Sequence, residues 1–421
     1  MKYIERIADI VLKERLESKG AVLIEGPKWC GKTSTALQMS KSVLNLSDIN
    51  ILEESKVLAS INPSILLEGN TPRLIDEWQE IPTLWDAIRC EVDKRQSMEQ
   101  FILTGSAVPA NRDEIRHTGT GRFSRMVMRT MSLSESGESN GEIHLSSLFD
   151  QANNLISQNT LELGDIARLI CRGGWPMAIQ LHEKAALRQA VDYYDAVINF
   201  DISRVDGVRR SPITANNILR SYARHIGYQT PLTTIRDDIS NNGVIDINTV
   251  NSYLNALKQV YVIEEAPAWN PNLRSKTAIR TTETRYFNDP SIGCAALGIG
   301  PGDLMRDLKL LGMLFENLCI RDLRIYSEIL DGKIYHYRDS NGLECDAVIH
   351  LRNGKYGLIE IKLGGEKQTE EGASSLLKLS SKIDTDKMSS PSFLMVLTAV
   401  GKYAYQRKDG VWIVPIGTLT Y

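Results

Sequence analysis

No two of the six cysteines, Cys30, Cys90, Cys171, Cys294, Cys319 and Cys345, are spaced as C-x-x-C, which argues against a zinc ribbon and offers no disulfide framework. Thiols scattered in this way are expected to stay reduced, as in the cytosol. No apolar run approaches the ~20 residues that a membrane-spanning helix requires, so membrane insertion is not expected. Lys2, Glu5, Arg6 and Asp9 interrupt the apolar positions of the first ten residues, which speaks against a signal-peptide core and for a cytoplasmic protein. A basic excess is also missing: 49 Lys and Arg face 52 Asp and Glu, for a net charge of −3. Any nucleic-acid contact must therefore be a local patch rather than a global field. What remains is globular in composition, 42% hydrophobic and 24% charged over 421 residues, with room for two or three cores.

One stretch organises the rest. Gly26-Pro27-Lys28-Trp29-Cys30-Gly31-Lys32-Thr33 fits G-x-x-x-x-G-K-[ST] at every fixed position, after the apolar run Ala21–Ile24 and before a helix-like segment from Lys32 through Ser34 to Met39. In such a loop the glycines turn backbone N–H groups toward phosphates. The lysine reaches the β- and γ-phosphates, and the hydroxyl ligates Mg²⁺. A helix beginning at Lys32 adds its N-terminal partial charge. Residues Gly26 to Ser34 are thus expected to bind ATP. Ahead of them, Ile4, Ile7, Ile10, Val11 and Leu16 fall near helical spacing.

The apolar Leu74-Ile75 run ends in Asp76-Glu77. In a Walker B element the aspartate holds Mg²⁺, here with Thr33, and the next carboxylate orients and deprotonates the attacking water. A helix over Leu84–Arg95 and a strand at Phe101–Leu103 follow, the strand leading to Thr104-Gly-Ser106. Thr104 is the expected sensor of the γ-phosphate, against the plainer role of a strand-end cap. Arg112, Arg116 and Arg122 form a basic stretch, and Arg122 is the expected arginine finger, acting in its own chain or from a neighbouring subunit of a homo-oligomer.

The run from Tyr3 through GPKWCGKTS, LIDEWQ, FILTGSA and GRF resembles a large group of prokaryotic ATP-binding proteins of the AAA superfamily, whose C-terminal domain of unknown function is similar to restriction endonucleases. The chain has Lys28 where that group usually has arginine, and Gly119-Thr-Gly-Arg122 where its loop is often an uninterrupted Gly-Arg.

From Ser132 to Thr160 the composition turns to Ser, Glu, Asn and Gly and reads as a loop or insertion. Arg172-Gly-Gly-Trp-Pro176 reads as a turn in which glycine serves chain geometry, and Ala185–Val205 as a long helix carrying Tyr193, Tyr194, Val197, Ile198 and Phe200. Helical patterns over 213–226, 233–240 and 248–260, then a strand over 261–267, have the order of a winged helix-turn-helix. Thr233 and Asn248 are the expected caps and Asn241-Asn-Gly243 the closing turn. Asn248, Thr249, Asn251, Ser252, Asn255 and Gln259 could read base edges. Arg204, Arg209, Arg210, Arg274, Lys276, Arg280 and Arg285 would supply phosphate contacts, although such modules also serve as packing units alone.

Beyond the Arg285–Ile292 entry, a helix around Leu310–Leu323 carries Glu316. Strands over 334–338, 344–350 and 356–362 follow, the last two joined by the Asn353-Gly354 hairpin signal. Period-two alternation puts Leu358, Glu360 and Lys362 on one face. Asp346 with Glu360-x-Lys362 is the arrangement of PD-(D/E)xK nucleases, in which two carboxylates hold Mg²⁺ and the lysine positions water. Glu316 would complete the shell. A helix over 374–382, a strand over 393–397 and a closing strand over 411–415 end the chain.

The expected architecture is therefore α/β: a P-loop NTPase domain of AAA type over 1–165, a helical lid or connector over 166–210, a winged helix-turn-helix over 211–270 and a restriction-endonuclease-like α/β domain over 271–421. Three functions fit the residues. One is an ATPase that couples Mg-ATP hydrolysis to DNA. Another is a nucleotide-gated regulatory protein with little turnover, and the third is an ATP-regulated, metal-dependent nuclease.

Overall fold

The computed structural model describes residues 2–105, 117–151, 155–240, 245–271 and 282–421. Arg112, Arg116, Ser106, Asn241-Asn-Gly243, Arg274, Lys276 and Arg280 lie outside the described residues. The chain divides into two compact units. The first comprises Met1–Thr130, Ala196–Ser211 and Asn255–Val262; the second comprises Met131–Asp195, Pro212–Leu254 and Ile263–Tyr421. These units cut across the four-part division drawn from the sequence.

In the first unit, strands β1 (Ala21–Glu25), β2 (Ser42–Asn45), β3 (Arg73–Asp76), β4 (Phe101–Thr104) and β5 (Phe123–Val127) form a parallel sheet in the order β2-β3-β4-β1-β5. Parallel strands covered on both faces read as unbroken apolar runs, and β1 and β4 are buried along almost their whole length. The register aligns Ile24 with Thr104 and Thr104 with Asp76. The carboxyl ends of β1, β4 and β3 thus lie side by side, where ligands of open α/β sheets bind. Beneath them Leu23, Ile75 and Leu103 pack with Trp85 and Phe101, and Trp85 stacks on Phe123 at 4.0 Å between ring centroids.

The helix expected near Tyr3–Lys19 spans Ile7–Ser18 and buries Ile7, Val11 and Leu16, but Ile10 is exposed. The segment Glu183–Ala196 is helical as expected, then widens into a π-helical turn at Val197–Asp201 before the short helix Ile202–Arg204. The extra residue per turn rotates the helical face, so Val197 stays buried while Phe200 is exposed.

The second unit holds a mixed seven-stranded sheet, β7-β12-β13-β11-β10-β9-β8. Its strands are β7 (Ser157–Gln158), β8 (Gly332–Arg338), β9 (Glu344–Leu351), β10 (Tyr356–Lys362), β11 (Phe393–Thr398), β12 (Tyr403–Gln406) and β13 (Trp412–Pro415). β8, β9 and β10 form an antiparallel meander. β10 runs parallel to β11 across the helix Glu366–Lys382, the crossover that parallel neighbours require. The helix Leu308–Glu328 precedes β8 and buries most of its second half.

Several expectations change here. Part of Ser132–Thr160 is not a free loop: β6 (Ile143–His144) pairs with β14 (Leu419–Thr420), and β7 pairs with β12. Two-residue strands have no period for a sequence to display. β13 does not close the sheet, because β12 and β7 lie beyond it. The strand expected over 261–267 reduces to isolated bridges, Ile263 to Phe287 and Ala266 to Thr284. Tyr261 has φ +58, and Val262 N–H returns to Leu257 O at 2.9 Å. The segment therefore begins as a helix-terminating turn, and Pro267 cannot donate to a ladder.

Thr233 and Asn248 are not caps. Both lie inside their helices, Leu232–Ile239 and Ile247–Gln259, and Asp246 Oδ2 accepts from Asn248 N–H at 3.3 Å. The Gly-Gly turn has the geometric role expected of it. Gly173 has φ +71, and a Cβ on Gly174 would stand 2.0 Å from Met131 O.

Candidate functional site

The loop after β1 is built around its glycines. Gly26 has φ +146, and a Cβ there would lie 2.1 Å from Met128 O; Gly31 has φ +102 and opens the helix Lys32–Met39. Lys32 is buried, its Nζ donating to the carbonyls of Gly26 at 3.0 Å and Pro27 at 2.7 Å. Cys30 is buried, whereas Trp29, at φ +65, and Ser34 are exposed.

Thr33 Oγ1 donates to Asp76 Oδ1 at 2.8 Å, and Thr104 Oγ1 donates to the same oxygen. Asp76 is buried. The loop, β3 and β4 thus converge on one carboxylate beside the lysine. Glu77 takes a left-handed conformation, φ +55, that turns it out of the strand direction, and Gln79 Nε2 donates to its Oε2. A hydroxyl beside a carboxylate suits Mg²⁺, which takes one or two protein oxygens and fills its octahedron with phosphate and water. Thr33 and Asp76 would hold it.

Three residues that the motifs did not single out complete the loop. Arg6 is buried and donates from Nη1 to Cys30 O and from Nη2 to Arg129 O, each at 2.9 Å. Tyr3 O–H donates to Asp9 at 2.6 Å and lies 2.9 Å from Thr35 Oγ1. Asp201, from the π-helical turn, accepts from Lys28 Nζ at 2.6 Å. Burial pushes the Glu25 carboxyl above its usual range, against the pull of Arg125 and the Tyr261 hydroxyl.

Arg122 does not reach this site within its own chain. It precedes β5, whose Phe123 pairs with Ala21 at the amino end of β1 while the loop leaves the carboxyl end. Four strand residues separate them, roughly 13 Å, and Arg122 Nε donates to Asp93 at 2.7 Å.

In the second unit Lys362 joins Asp346 and Glu360, and Glu316 stands near enough to feel their charges. Lys362 Nζ lies 2.5 Å from Glu360 Oε2 and 3.2 Å from Asp346 Oδ2. Asp346 Oδ2 also accepts Ile361 N–H at 2.7 Å, and Tyr286 O–H donates to Glu316 Oε1 at 2.5 Å. Burial, with the charge of Asp346, pushes Glu360 up to about 8 and Glu316 well above the carboxylate range. Burial pulls Lys362 down, but Asp346 and Glu360 more than offset it. The Lys362 ammonium bridges the carboxylates of Asp346 and Glu360. Among the described residues no three His, Cys, Asp or Glu side chains converge closely enough to hold a metal ion. The expected metal shell is a lysine-bridged pair of carboxylates.

The expected basic patch also thins. Arg285 is buried, pairing with Glu265 at 2.6 Å and donating to Thr230 O, and Arg210 is buried against Asp206 at 2.7 Å. Arg204 and Arg209 remain exposed, as do Asn248, Thr249, Asn251 and Asn255; Ser252 and Gln259 are half-buried.

Residues 18–137 match the model of an AAA domain, residues 163–303 a domain of unknown function, and residues 311–419 a second domain of unknown function. Uncharacterised proteins of Mycobacterium bovis and Mycobacterium tuberculosis are each 23% identical over 357 residues, covering 83% of this chain and 72% of theirs. A Walker-type ATPase of Pyrococcus abyssi is 15% identical, with a TM-score of 0.42 over 68% of this chain and 94% of its own. No described helix is long and apolar enough to cross a membrane. The AAA match and the geometry around Asp76 agree on the same loop and strands: the chain carries an AAA-type ATP-binding domain.

Proposed function

We propose that the protein hydrolyses Mg-ATP at this loop. The observation that carries the reading is the convergence of Thr33 and Thr104 on Asp76, at the carboxyl ends of three neighbouring strands and beside Lys32. Lys32 exchanges its loop carbonyls for the β- and γ-phosphates. Backbone N–H groups of residues 26–34 cradle the phosphate chain. Thr33 and Asp76 would hold Mg²⁺, which would supply neutralisation of phosphate charge. Glu77, oriented by Gln79, takes the proton of the water that attacks the γ-phosphorus. The bond to the β–γ bridging oxygen breaks, releasing ADP and phosphate. Thr104 holds Asp76 in place, and a finger in trans would come from a second copy.

We extend the proposal to the rest of the chain. The functional modules of this proposal are 1–165, 166–210, 211–270 and 271–421, although the compact units divide the chain elsewhere. The exposed amides of the helix Ile247–Gln259 are the surface offered to DNA in a winged-helix module. The second reading, an ATP-regulated nuclease, is favoured by one observation, the meeting of Asp346, Glu360 and Lys362 with Glu316 within reach of their charges, and requires those acids to rearrange around a metal that displaces Lys362. Lys32→Ala should abolish Mg-ATP binding measured by equilibrium dialysis, and DNA should accelerate turnover of the wild type. Retained ATP binding in Lys32→Ala would overturn the phosphate role of that lysine.

A further inference from the structure

Lys28 lies within the loop that would hold phosphate, yet its ammonium is engaged by a carboxylate 173 positions away, Asp201, at 2.6 Å. Both residues belong to the first unit. The Lys28 side chain is 44% exposed and that of Asp201 11%, so the pair sits at the mouth of the loop with its acid drawn inward. Asp201 ends a π-helical turn, a geometry that often marks functional positions. Beyond it the chain fastens onto itself. Arg210 pairs with Asp206, and Arg210 N–H donates to Ser203 Oγ at 3.1 Å.

We infer that Lys28 and Asp201 form a clasp that nucleotide phosphates open, with Asp201 positioning Lys28 and competing with the γ-phosphate for it. The inference rests on the reading of the loop as an ATP site. A triphosphate presents several negative charges within reach of an ammonium held by one. On binding, Lys28 turns to phosphate and Asp201 is released, together with the 196–211 segment that leads in the chain to the helix Pro212–Arg224. A second contact points the same way. The Tyr261 hydroxyl bonds to Glu25, the residue before the loop. A residue from the segment entering 212–254 thus meets the phosphate loop, and one from the segment leaving it meets the residue just before that loop.

The test titrates full-length protein with a fluorescent N-methylanthraniloyl ATP and Mg²⁺. Asp201→Asn removes the competitor and should tighten binding roughly three- to tenfold. Lys28→Met should weaken it, and Asp201→Asn should have no further effect in the Lys28→Met background. Asp201→Glu should restore the wild-type value, which a general loosening of the fold would not do. In parallel, trypsin should cut after the exposed Arg204 and Arg209 faster with nucleotide in the wild type, and fast without it in Asp201→Asn. Equal affinity of wild type and Asp201→Asn, or the same Asp201→Asn effect with and without Lys28, overturns the clasp and leaves the ATP reading standing. A wild type that binds no nucleotide overturns both.

Discussion

Arg6→Met tests whether the phosphate loop is held from the amino-terminal helix. The wild-type guanidinium makes two charge-assisted bonds, to Cys30 O and Arg129 O, each 2.9 Å, from a residue only 5% exposed. Hydrogen bonds to charged groups contribute about 1.5–3 kcal/mol each. Methionine keeps most of the apolar stem but leaves both carbonyls without that donor. Water can reach them in part, so we place the loss at about 2–4 kcal/mol in urea unfolding of the first unit. Part of it is local to the loop. Mg-ATP affinity should fall as well, tenfold for each ~1.4 kcal/mol needed to re-order the backbone. Arg6→Lys, a single donor point rather than a fork, should recover about half. A loss below ~0.5 kcal/mol for Arg6→Met, with unchanged affinity, would refute the clamp.

Three other outcomes follow from the geometry. Asp289→Asn strips charge from a fully buried carboxylate that accepts from Gly174 N–H at 2.9 Å and pairs with Arg321 at 3.0 Å. It should destabilise the second unit by about 3–5 kcal/mol in denaturant titration, and a loss under ~1 kcal/mol would contradict the buried network. Glu360 is raised to about 8 from an ordinary 4.5, so the folded state binds the extra proton. Its stabilisation is full below 4.5 and is lost as pH rises through 8. The wild-type melting temperature should therefore fall more steeply between pH 5 and 8 than that of Glu360→Gln; parallel profiles would rule this out. Gln79→Leu frees Glu77 from its donor and should lower kcat about ten- to a hundredfold with KM little changed, as steady-state phosphate release would show.

How much of this was legible depends on how chemistry is distributed along the chain. The phosphate loop and Asp76-Glu77 announce themselves because the proposed chemistry needs adjacent residues at fixed spacing. Asp346, Glu360 and Lys362 were found the same way, since a strand pair enforces alternation. Sequence could not show that Lys362 would sit between the two acids, because that depends on burial. Arg6 and Asp201 carry no local signature: each is a single charge meeting a loop 24 and 173 positions away. The basic patch thins for a related reason. Arg210 and Arg285 look alike in sequence to solvated arginines, and only packing shows them paired with Asp206 and Glu265. β6 and β7, two residues each, exist through their partners alone.

The most direct measurement is a single-turnover experiment with γ-labelled ATP on wild type and Glu77→Gln. The account predicts that wild type releases labelled phosphate while Glu77→Gln binds Mg-ATP with similar affinity and holds it uncleaved, its rate lower by about a hundredfold or more. Cleavage by Glu77→Gln at the wild-type rate would contradict the assignment of this loop and its neighbouring carboxylates as a hydrolytic centre.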